Sequence, residues 1–265
     1  MSDLPQPTGS TPPSGSPIPP PPPPTYVGAP PPGYVGYHTN PAADRAMAIG
    51  GLAQAITVLL TVGVASNLIA LVVTLGERSR FVDYLAGDTS ISSDDVINAA
   101  GRISLASLPA SAAFVATAVL TMIWMYRAAV NHRALGRPGS TWSPLWGVFG
   151  WFVPPVLFVI PWLMLGELWR GSAPGTVAND PGWKRNPISP LVHAWWVVFG
   201  LGGVFAYTAQ LGSVRTGSSA RDVAERFDAS IATLAVSTAL SVAGGILFLL
   251  VVRGLTARQQ ALLGR

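Results

Sequence analysis

The sequence predicts an all-α, polytopic membrane fold, and three observations predict it. Only 11% of the 265 residues are charged, where soluble domains carry about 25%. Apolar runs of about 20 residues recur, the length a helix needs to cross hydrocarbon, and the mean hydropathy is +0.43. The prolines are also segregated: fifteen of 25 fall in the first 41 residues, and a further cluster interrupts one central apolar run. The expected architecture is four transmembrane helices, at about 46–75, 105–126, 191–211 and 231–252, around a central proline-broken segment at 143–165. That segment is expected to be re-entrant or interfacial; five full spans are the alternative.

Residues 1–45 form a low-complexity tail with an unbroken run Pro19–Pro24 and a near-repeat, PPPTYVG (22–28) and PPPGYVG (30–36). Such a segment buries too little surface to fold and favours extended polyproline II, so it is expected to be disordered. It is either a spacer or a docking tail for a protein with an aromatic groove. No basic region followed by an apolar stretch precedes the first span, so insertion is expected to rely on that span itself.

Ala46–Leu75 is long for one span and should tilt or project. A polar loop of about 30 residues is expected next, carrying Glu77, Asp83, Asp88, Asp94 and Asp95. Leu105–Tyr126 is the second span. The basic connector YRAAVNHRALGRPGSTW (126–142) follows, then the broken segment, and then a third full span opened by HAWW (193–196). The last span, Ile231–Val252, leads into a basic tail at 256–265. Ser92 with Asp95 and Ser219 with Asp222 give capping-box starts to the second and last spans. Both helices should therefore begin outside the bilayer, as two related hairpins flanking the break.

The stretch WFVPPVLFVIPW (151–162) decides the topology. Pro154, Pro155 and Pro161 remove three amide donors, and broken backbone at membrane depth is tolerated only where protein or a water-filled cavity covers it. The tryptophans at 142, 146, 151, 162 and 169 suit a headgroup-level segment. Charge counting agrees. If the segment returns to the side it entered, ten Lys and Arg face the cytoplasm and six face outward; if it crosses, the count is seven against nine. The positive-inside rule selects the first arrangement, with a cytoplasmic N-terminus in the cell membrane.

WMYRAAVNHRALG (124–136), SPLWGVFGWFVPP (143–155), PWLMLGELWRGS (161–172) and HAWW (193–196) together resemble a family of bacterial, mainly actinobacterial, membrane proteins, domain of unknown function 4328. The resemblance extends over residues 46–255. The family pattern maps to Asn131, Ser143-Pro144, Trp151, Pro154, Pro161, Glu167, Trp169 and Arg170. The chain departs from it between the prolines, where PVLFVI (155–160) replaces residues that are often polar. The resemblance implies no activity.

The residues singled out for a role are Asn131, Trp151, Pro154, Pro155, Pro161, Glu167, Trp169, Arg170 and His193. Glu167 and Arg170, at i and i+3, read as an ion pair anchoring the broken segment or as an ion site at a membrane mouth. His193 reads as a belt residue or a proton relay. Asn131 and His132 read as C-terminal capping residues. Gln54 and Asn67 should bond neighbouring helices. Ala229, Thr233, Ser237, Ser241 and Gly245 form a small-residue packing face. Without cysteine and with three scattered histidines, no metal or other cofactor is expected. Soluble-enzyme motifs are missing too, so an enzyme is not expected. Basic residues scattered between apolar runs argue against nucleic acid and for the lipid bilayer as the first partner. The expected function is a non-enzymatic scaffold or regulator acting through protein interactions. The alternative is a small-solute transporter or channel, which with so few spans would require a homo-oligomer, with the broken helix lining the path.

Overall fold

The computed structural model describes residues 45–153, 156–213 and 219–265. The tail before Arg45, and Pro154 and Pro155, lie outside them. The described elements are helices α1 (Gly50–Leu85), α2 (Ser93–Ala134), α3 (Trp146–Phe149), α4 (Val156–Gly171), α5 (Pro190–Ser213) and α6 (Ala220–Leu263), with a 3-10 turn at Pro181–Arg185. The fold is all-α and polytopic. Three helices, α1, α2 and α6, are long and apolar enough to cross a membrane.

Their surfaces are those of lipid-facing helices. Only 6% of the most apolar stretch of α1 is buried, while Val58, Val62, Ile69 and Val72 on α1 and Leu105, Phe114 and Val115 on α2 are exposed. An apolar surface of that extent is soluble only in hydrocarbon.

Both capping boxes form. The Ser92 hydroxyl accepts the Asp95 amide and the Asp95 carboxylate accepts the Ser92 amide, and Ser219 and Asp222 repeat the arrangement. α6 ends at Gly264, whose φ of 71° is the left-handed conformation that terminates helices.

The helices run well past the expected spans. With 36, 42 and 44 residues, and about 1.5 Å rise per residue, each is roughly twice as long as hydrocarbon is thick. The expected 30-residue polar loop is therefore a seven-residue turn, 86–92, because α1 continues to Leu85 and α2 starts at Ser93. The reason is a second, small core: Phe81, Val96, Ala99, Ile103 and Ala224 are buried together, and Phe81 stacks on Phe227 at 4.8 Å. We call this end of the bundle the head. At the opposite end, the base, the expected basic tail 256–265 is helical as far as Leu263. Thr256, Gln259 and Leu263 continue the buried face begun by Phe248, Val251, Val252 and Leu255.

α1 packs on α2 and α6, α6 also on α5, and α5 on α4. The two described arms of the proline-broken segment, 143–153 and 156–165, lie against each other, and we call them the hairpin. Gly147, on α3, lies so close to α2 that a Cβ there would meet the Tyr126 amide nitrogen at 2.8 Å, and Gly150 faces Ile160 on the returning arm. The Glu167 carboxylate accepts the Thr141 amide at 3.0 Å. The two ends of segment 143–165 thus lie side by side at the base.

Candidate functional site

At the base, polar side chains are buried without ion pairing. Asn131 is fully buried and reaches back to the residues ahead of α1: its Oδ1 accepts the Met47 amide at 2.7 Å, and its Nδ2 donates to the Met47 carbonyl at 3.0 Å. Nδ2 also lies 3.3 Å from Gln259 Oε1, and Gln259 Nε2 donates to the Ala128 carbonyl at 3.0 Å. A primary amide has both donors and acceptors and so can close such a ring without burying charge. Trp124 Nε1 adds a bond to Thr256 Oγ1 at 3.0 Å, and Arg127 donates to the Ala48 carbonyl. The start of α1 and the ends of α2 and α6 are tied together here. Asn131 is thus a tertiary hub, not the capping residue the sequence suggested.

His132 likewise faces inward. Its ring meets Trp183 edge-on at 4.9 Å and packs on Gly171 so closely that a Cβ there would lie 2.1 Å from Cε1. Neither ring nitrogen has a hydrogen-bond partner, nor do the buried Arg170 Nε and Ser172 Oγ. Arg137 donates from Nε to the Gly171 carbonyl at 2.7 Å and from Nη1 to the Val177 carbonyl at 2.8 Å. It ties the end of α4 to the connector before the 3-10 turn, and burial pulls its pKa below the ordinary value.

The remaining singled-out residues occupy the hairpin and its supports. Glu167 does not pair with Arg170. It caps the amide of Thr141 (with Trp142 N at 3.5 Å), while the Arg170 carbonyl accepts Asn186 Nδ2. Ion pairs among the described residues include Arg78–Asp228, Arg80–Glu77, Arg102–Glu77 and Arg221–Glu225, all toward the head. Pro161 is buried inside α4. One residue past the carbonyl its missing amide would have met, Trp196 Nε1 donates to the Phe158 carbonyl at 2.5 Å; neighbouring helices commonly satisfy interrupted backbone in this way. His193 accepts Trp162 Nε1 through Nδ1 at 3.2 Å. Trp169 is buried against Gly254, with the Arg258 guanidinium 4.2 Å from its ring centre. Asn67 donates to its own helix, at the Gly63 carbonyl, and not to a neighbour, while Gln54 is exposed.

Between these supports and the head lies a cavity of about 560 Å³, walled by α1, α2, α5, α6 and the hairpin. Its walls are mostly apolar, with Leu60, Phe158, Phe199 and Phe248 among them. The polar side chains among its described lining residues are uncharged: Asn67, Thr117, Thr121, Trp151, Trp195, Ser237 and Ser241. Two of these, Thr121 Oγ1 and Trp151 Nε1, are buried without a partner. Trp151 is held edge-on to Phe199 at 6.0 Å. The small-residue face of α6 contributes Ser237, Ser241, Gly244 and Gly245, so the helix gives the cavity room as well as packing on α1 through Gly245 and Val64.

A family model, domain of unknown function (DUF4328), matches residues 87–257. The chain belongs to the DUF4328 family. The match covers α2 to α6, the hairpin and most of the cavity wall; it starts after α1, so the resemblance drawn from residue 46 onward holds only from 87. No curated protein and no solved structure matches the chain. Thr121, Arg137 and Thr256, within the DUF4328 region, and Gln259, two residues beyond it, were missed by sequence reasoning. The signal for the last two was available: they continue the apolar helical spacing of Val252 and Leu255 into a segment that reads as a tail.

Proposed function

We propose that this DUF4328 protein is a four-span, non-enzymatic protein of the cell membrane that acts as a scaffold or regulator through protein interactions. In this reading α1, α2, α5 and α6 cross, segment 143–165 dips in and returns, and both termini are cytoplasmic. The observation that carries it is the base. Met47, where the proline-rich tail joins the helical domain, is held by two hydrogen bonds to Asn131, and Arg265 donates to the Ala46 carbonyl. The sequence that leads into this anchored stretch carries PPPTYVG and PPPGYVG, a polyproline-type motif suited to an aromatic groove on a partner. The side-by-side ends of the hairpin support its return to the side it entered. They also gather Arg45, the connector arginines, Lys184 and Arg185 at the end assigned to the cytoplasm.

The alternative is a small-solute transporter whose polar path would use the Glu167 carboxylate and freed carbonyls near Phe149–Trp151; of these, Glu167 accepts the Thr141 amide and the Phe149 carbonyl accepts the Phe152 amide. Deleting residues 1–41 and comparing co-purified proteins tests the scaffold reading. It expects loss of specific partners with the membrane domain still folded, and an unchanged partner set counts against it. Solute flux through reconstituted liposomes above protein-free controls would instead favour a transporter.

A further inference from the structure

We propose that the central cavity is a binding site for one acyl chain of a bilayer phospholipid, with the chain inside the bundle and the headgroup left in the membrane. The volume comes first: about 560 Å³ lies within the range of small-molecule sites, roughly 300–1,000 Å³. The lining comes second. Among the described residues no lining side chain carries a charge, so neither a phosphate nor an ammonium group has a counter-charge among them, and an unpaired ion in such surroundings is strongly disfavoured.

Access comes third. Phe114 lines the cavity yet is 70% exposed. It stands on α2, whose chief neighbours are α1 and α6, whereas α5 is braced chiefly by α6 and α4. The side between α2 and α5 is therefore where a molecule already dissolved in the bilayer can enter.

The unpartnered groups then narrow the chemistry. Thr121 Oγ1 can donate, and the Trp151 indole N–H can only donate; both are buried without an acceptor. A saturated chain alone would leave them unpaired, and a buried polar group without a partner is destabilising. Both atoms are covered by protein, so each side chain must turn toward the cavity before the ester carbonyl at the top of a phospholipid chain supplies the acceptor, which adds no charge. The glycines let the cavity's walls close on one another around it. A Cβ on Gly203 would meet the Phe158 ring at 2.9 Å, and one on Gly245 would meet Val64 at 3.0 Å.

The test uses the full chain in phosphatidylcholine vesicles containing a phosphatidylcholine with a diazirine partway along one acyl chain, followed by peptide mapping of the crosslinks. With crosslinks mapped to single residues, the account expects labelling of the cavity walls at Thr117, Thr121, Met122 and Phe199, beside the labelling of outward residues such as Val58, Val72 and Val119 that any lipid would give. Ala118→Phe at the mouth, and independently Gly202→Leu in the wall, should remove most of the interior labelling and leave the outward labelling unchanged. The outward labelling also reports that each variant is folded. Trp151→Phe, which keeps the ring and removes the donor, should lower interior labelling roughly fivefold. Replacing the matrix with phosphatidylglycerol should change nothing, since the headgroup stays outside. Labelling confined to outward residues, interior labelling indifferent to both filling variants, or a requirement for the anionic headgroup would overturn the proposal.

Discussion

The base and the head hold the same three helices, α1, α2 and α6, by opposite means. At the base, buried and uncharged amides join them: Asn131 and Gln259 are both fully buried, and their partners are backbone groups and each other. At the head, a handful of apolar side chains around Phe81 is rimmed by charges: Arg80 and Arg102 are exposed, and both donate to Glu77, whose side chain is 12% accessible. The difference follows from solvent. Ions at the head remain hydrated and their pairing contributes little, whereas polar groups at the base have no water to fall back on and must find protein partners. One end is therefore specified by directional bonds, and the other by apolar contact that tolerates exchange of its charges.

Substitutions at the two ends should separate these mechanisms. The largest effect is expected from Asn131→Ala, which strips partners from the Met47 amide and carbonyl and from Gln259. At roughly 1–3 kcal/mol for each buried group left unpaired, a loss of about 4 kcal/mol is expected, read as a lower Tm of the detergent-solubilised protein. Phe81→Ala removes the centre of the head cluster and its stack on Phe227. It should cost about 3 kcal/mol while leaving protease protection of the base intact, so limited proteolysis should cut first near residue 87. Gly171→Ala places a methyl where the His132 ring lies, and overpacking of this kind costs about 1–3 kcal/mol. Glu77→Gln should have the smallest effect, about 1 kcal/mol or less. High salt should reproduce it in the unsubstituted protein, whereas salt should not change the deficit of Asn131→Ala. Equal salt sensitivity at both ends would break the comparison.

The head and base also mark the limits of what the sequence discloses. Local chemistry was legible: Ser92 with Asp95 and Ser219 with Asp222 sit within one turn of each other, and their spacing alone specifies the caps. The extent of α1 was not. Glu77, Arg78, Arg80 and Asp83 read as the end of a span, because polarity is taken for a loop when the apolar partner strip (Val96, Ala99, Ile103) belongs to another helix. Asn131 and His132 misled for a similar reason. At the end of a basic helix a polar side chain looks like a cap, and only the placement of Met47, Gln259 and Gly171 turns it inward. The cavity left no local trace, since its walls come from residues 59 to 248. Of the prolines that marked the central segment, Pro161 lies inside the continuous helix α4, and Pro154 and Pro155 lie outside the described residues.

The central claim is that segment 143–165 returns to the side it enters, so that the head and the 172–189 connector face opposite sides of the membrane. The chain contains no cysteine, so single replacements can be labelled without background. Asp88→Cys in the head turn, Val177→Cys in the exposed connector and Arg265→Cys at the base would each be exposed to a membrane-impermeant maleimide in intact cells, and again after permeabilisation. The account predicts labelling of position 88 in intact cells and of 177 and 265 only after permeabilisation. Labelling of 177 or 265 from outside, together with 88, would contradict it and turn the hairpin into a fifth span.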